Sequence, residues 1–226
     1  MNASTSTPEE AAANIHPNAV LYCQLMELLK WRTGAVIETL DRLKRRNHYF
    51  DNRLAAEFCM LQLRMCCELL AIGCVAIHTD VATSKQLHKE WNADSIMKKF
   101  ARLKPKFFPQ PIVDRRGTDG IIDQIPREGA LNRDELLKHY HLFGGMLHSG
   151  ALSDHLIPTE EDYNLSMFDE FIAKLGKLLS NHTYLLNDER TMIRVIMNNE
   201  VDGRVWMNLL SAQPGPADYS GDSIRR

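Results

Sequence analysis

The sequence predicts an all-α fold, a bundle of about five helices with a small C-terminal β-hairpin. Three observations carry this. Apolar residues recur every three to four positions over long stretches between residues 19 and 186, which is the spacing of one helical face. Start and stop residues, among them Asn92, Pro105, Asn132 and Pro158, cut that pattern into helix-sized pieces. Only residues 191–212, with β-branched residues about Asp202-Gly203, read as a pair of strands.

Each element has its own signal. A helix over 19–46 places Leu21, Leu25, Leu28, Val36, Leu40 and Leu43 on its core face and ends in the charge run DRLKRRN. A second, over 53–78, is capped by Asp51 or Asn52 and is apolar nearly all round, as a central helix is. A third, over 93–103, starts at Asn92 and stops before Pro105. The stretch 105–130 reads as a long connection, either functional or a surface loop pinned by Phe107, Phe108 and Ile112. Asn132 and Glu135 form a capping-box pattern for the fourth helix, and Thr159 and Asp162 repeat it for the fifth. The fifth spans 161–186, with Leu165, Phe168, Ile172, Leu175 and Leu179 facing the core.

These elements make one domain over 18–212, with its hairpin at 191–212. Residues 1–17 read as a disordered N-terminal segment and 213–226 as a flexible tail. The formal net charge of −2 gives no bulk attraction to nucleic acid, so such contact needs a local basic patch. The five cysteines are odd in number, and four lie in one apolar helix, so they read as buried thiols of a reducing cytoplasm. The start lacks the basic opening of a signal peptide, and the run LLAIGCVAI at 69–77 is too short to span a bilayer. A cytoplasmic protein without membrane partner, cofactor or metal is expected.

Two features suggest a site. Glu57, Arg64 and Glu68 share one face of the apolar second helix. They form either a solvated ion-pair stripe or a buried polar site. The segment HYHLFGGMLHSG at 139–150 holds three histidines and the pair Gly144-Gly145. Two glycines inside a helix cost about 2 kcal/mol relative to alanine, and close helix packing is the usual compensation. Packing on the second helix would bring His148 towards Glu57 or Arg64. His141, His148 and His155 are seven apart, but no carboxylate or thiol completes a metal set.

The stretches LQLRMCCELLAIGCVAIH and WNADSIMKKFARLKPKFFPQP, with Tyr140, Gly144 and Leu147-His148, resemble the HEPN superfamily over roughly residues 50–200. These are small helical bundles of RNA-targeting toxins and phage-defence systems. The resemblance implies an RNA- or nucleotide-associated protein of defence or toxin–antitoxin type, a metal-independent ribonuclease activity, and a homodimer. The family's ribonucleases carry an Arg, then four to six residues, then a His. Arg42…His48 and Arg133…His139 fit that spacing, as about two chance pairs would. The best-matching histidine is His148, yet positions 142 and 143 are Leu and Phe, so the chain departs from the motif there. Family members without it bind RNA or nucleotides, or act as partners, without cutting.

The resulting expectations are a site of His148, Arg64, Glu68 and Glu57, and an RNA-binding run of Lys98, Lys99, Arg102 and Lys104. In the site, His148 would act as acid or base and Arg64 would steady a phosphate. Phe100, Phe107 and Phe108 interleave the run either as base-stacking surfaces or as core residues beneath a solvated face. The competing reading is a non-catalytic helical interaction and dimerisation module, working through the first or fourth helix, or through the hairpin edge.

Overall fold

The computed structural model describes residues 18–45, 49–78, 90–116, 122–147, 165–186 and 191–211. Among these residues there are five helices: α1 (Ala19–Arg45), α2 (Tyr49–Ile77), α3 (Ala93–Leu103), α4 (Arg133–Leu147) and α5 (Leu165–Leu179). There are also five strands: β1 (Gln110–Arg116), β2 (Ile122–Pro126), β3 (Asn181–Leu185), β4 (Thr191–Ile196) and β5 (Trp206–Ser211). The strands form one antiparallel sheet in the order β2-β1-β3-β4-β5. The fold is therefore mixed α and β, and the all-α reading with a small hairpin is wrong.

The missed strands lack the pattern that marks a strand in sequence. On β1 only Ile112 is buried, so no apolar alternation appears, and the expected long connection is in fact the β1–β2 hairpin. Strand β3 is buried through His182, Thr183 and Tyr184, none of them an aliphatic residue. It follows α5 after the single residue Ser180, with no turn signal to separate them, and the helix expected to reach 186 ends at Leu179. The β4–β5 hairpin is present, and Gly203 at φ +70° makes its turn, a conformation that favours glycine.

Helix α1 lies antiparallel to α2. Cys66 meets Leu29 and Thr33, whereas Gly73 meets Tyr22 and Met26 near the start of α1. A Cβ on Gly73 would come 3.0 Å from the Tyr22 ring, so this glycine sets the helix spacing. The buried face of α1 is Tyr22, Met26, Leu29, Val36, Leu40 and Leu43. Leu21 and Leu28, expected in the core, are exposed, so the expected register fails in the first half. Helix α2 is long and apolar enough over Arg53–Ile77 to cross a bilayer, but 67% of its most apolar 18-residue window is buried within the fold, as in a core helix.

The seam between helices and sheet is polar and closed. Nδ1 of His182 donates to the Leu179 carbonyl at 2.8 Å. Its Nε2 therefore accepts from the Tyr22 hydroxyl at 2.7 Å, which in turn accepts from Tyr184 at 3.1 Å. Burial pushes the His182 imidazole down to about 4, so it sits neutral. The expected caps of α3 and α4 form, whereas Asp51 and Asn52 lie inside α2, which begins at Tyr49, and Thr159 and Asp162 lie outside the described residues. Asn92 accepts from the Ser95 amide at 3.1 Å, while Asn132 and Glu135 accept from each other's amides at 2.9 and 3.1 Å.

Candidate functional site

Arg64 and Glu68 lie one turn apart on α2, facing α4, and their side chains are 23% and 18% exposed. The Arg64 guanidinium covers the Tyr140 ring at 4.1 Å. Each of its nitrogens meets a partner. Nε pairs with Glu68 at 3.5 Å, Nη2 donates to the Tyr140 hydroxyl at 2.8 Å, and Nη1 donates to the Tyr140 carbonyl at 3.4 Å. The Tyr140 hydroxyl donates onward to Glu68 at 3.2 Å. Burial, then the Glu68 charge, pushes that phenol up to about 12.

Gly144 makes the arrangement possible. A Cβ there would sit 2.0 Å from Arg64 Nη1. The close packing expected of the glycine pair is thus real at Gly144, although it admits a guanidinium rather than a helix backbone. Gly145 plays no such part, because a Cβ there meets nothing within 4 Å.

Of the other expected site residues, Glu57 does not join this cluster. Glu57 pairs with Arg53 at 3.1 Å, one turn away on the same helix. His148 lies outside the described residues, as does His155. His141 meets Asp94 at 3.3 Å. Among the described residues no three His, Cys, Asp or Glu side chains gather as a metal set. The cluster as described holds a satisfied cation, a protonated phenol and a carboxylate. It ties α2 to α4 through contacts among its own three side chains.

The basic run is largely engaged. Lys98 pairs with Asp94 at 2.7 Å, Lys99 pairs with Glu90 at 3.1 Å, and Lys104 donates to His78 Nδ1 at 3.3 Å. Arg102 is exposed. Phe100, Phe107 and Phe108 are all buried, which overturns their reading as base-stacking surfaces. A shallow hollow of about 560 Å³ lies beside the start of α4, lined by Phe108, Gln110, Arg133 and Lys138. The capping box already occupies two of the free amides there, and Arg133 pairs with Asp134 at 2.8 Å.

The outer face of the α1–α2 pair differs in character. Leu21, Leu25, Leu28 and Arg32 recur at four, three and four along α1, and Leu54, Phe58, Leu61 and Met65 recur likewise along α2. Leu21, Leu28, Leu54, Phe58 and Leu61 are 46%, 43%, 67%, 40% and 44% exposed. Arg32 bridges the two walls through Nη1 to Gln62 at 2.6 Å. Its Nε is shut off from solvent and has no hydrogen-bond partner among the described residues. The sequence signal is a second apolar stripe on α1, one position off the buried one, with the same periodicity as a core face.

No family model, curated protein or solved structure matches the chain in these comparisons.

Proposed function

We propose that the chain is a non-catalytic helical interaction module that binds another polypeptide on the outer face of α1 and α2. The carrying observation is the set of five large apolar side chains left open at helical spacing on two adjacent helices. Such a face has a hydration cost that a docked helix removes, at roughly 25 cal/mol for each Å² covered. The residues expected to serve RNA support this reading by default. The phenylalanines are in the core, and the Lys98 and Lys99 charges are balanced by carboxylates. Within the HEPN resemblance, this role is that of members that act as partners without cutting.

The test uses the full chain with two labelled probes, an amphipathic leucine-rich helical peptide and a single-stranded RNA. The expected result is peptide binding that Leu28→Asp or Phe58→Asp abolishes while the melting temperature holds. RNA binding that falls steeply with salt and is lost in Lys98→Glu/Lys99→Glu, without peptide binding, would overturn the reading. It would restore the RNA-associated alternative.

A further inference from the structure

The α1–α2 face carries one group that specifies what covers it. Its walls are two antiparallel helices, and its open side chains recur every three to four residues, a pattern matched by another helix rather than a strand. Arg32 reaches from α1 across to Gln62 on α2. Its one hydrogen bond among the described residues goes to a neutral amide, and its Nε donor, closed off from water, has none. An orphaned donor of this kind is costly, and a carboxylate is the partner a guanidinium with an unmet donor takes best.

We infer that the occupant is an amphipathic helix bearing a carboxylate among its apolar residues, seated on Arg32. This rests on the interaction-module reading. A small turn of the terminal side-chain torsions presents the Nε and Nη2 edge to the incoming group, and two parallel N–H···O bonds then form. A second copy of this chain fits less well. Among the described residues, the carboxylates nearest the α2 stripe in sequence, Glu57 and Glu68, already pair with Arg53 and Arg64. Arginine inside an apolar surround is also a common anchor of protein interfaces.

The experiment measures binding of two synthetic helices of about three heptads to the full-length protein. They are identical apart from one central Glu or Gln among their leucines. Wild type is expected to bind the Glu helix about tenfold more tightly, equivalent to about 1.4 kcal/mol. Arg32→Gln is expected to erase that preference, and Arg32→Lys to keep part of it. Phe58→Asp is expected to weaken both helices. A melting curve for each variant confirms that it is folded. Equal binding of both helices by wild type, still sensitive to Phe58→Asp, overturns the carboxylate and leaves the module standing. Absence of binding by either helix overturns both. Self-association broken by Phe58→Asp makes a second copy the occupant and overturns the inference.

Discussion

Two arginines on neighbouring faces of the helical layer are treated in opposite ways. Arg64 has a partner at every nitrogen, an aromatic ring beneath it, and a glycine opposite that makes room for it. Arg32 has one neutral partner, one orphaned donor and, on its own helical stripe, the exposed Leu21 and Leu28. The contrast shows that a charged residue in an apolar helix does not mark a binding site by itself. What separates structure from function is whether its hydrogen-bonding capacity is already met.

Breaking the Arg64 cluster is expected to give the largest change. Arg64→Ala leaves Glu68 and both Tyr140 oxygens short of a donor in a half-buried setting, and should cost about 3 kcal/mol in a urea melt. Arg32→Ala, by contrast, removes a donor that is already unsatisfied, and should fall within about 0.5 kcal/mol of wild type. If the two costs proved equal, the contrast would collapse.

A pH titration of stability tests a third buried polar group, one that carries no charge. His182 holds its proton less well in the fold than in the unfolded chain, about 4 against the usual 6.5. The unfolded state thus binds more protons between those values, and stability falls as pH drops from 6.5 to 4. The full loss is about 3 kcal/mol and is complete below the lower value. A flat profile through that window would mean that His182 is not closed off as described.

The glycine pair sharpens the account further. Gly144→Ala drives its new methyl into Nη1 of Arg64, and the flexible side chain should swing away, so the net cost is about 1–2 kcal/mol after the gain in helix propensity. Gly145→Ala meets open space and should stabilise by about 0.5–1 kcal/mol. Opposite signs at adjacent glycines, read by thermal melts, would confirm that only one of them serves Arg64.

Much of the helical layer was legible because its signals are local. Asn92, Asn132 and Glu135 cap as their spacing predicts, and Asp202-Gly203 marks a real turn. The sheet was not legible, because its buried positions are His182, Thr183 and Tyr184, whose core role depends on Tyr22 from a helix 160 residues away. The convergence of Arg64 and Glu68 with α4 followed from the glycines, but Tyr140 as their shared partner did not. Its hydroxyl role exists only once α2 and α4 meet. The register of α1 failed for a similar reason. Two apolar stripes lie one position apart, and the leucine-rich one is the outer one, while Tyr22 and Met26 fill the core.

The most direct test compares Arg32→Gln and Arg64→Gln for binding of the glutamate-bearing helix, with a melting curve for each. The account predicts that Arg32→Gln melts like wild type and binds about tenfold more weakly, whereas Arg64→Gln melts earlier and, while folded, binds like wild type. The reverse pattern, with binding lost in Arg64→Gln and unchanged in Arg32→Gln, would contradict it and return the function to the α2–α4 cluster.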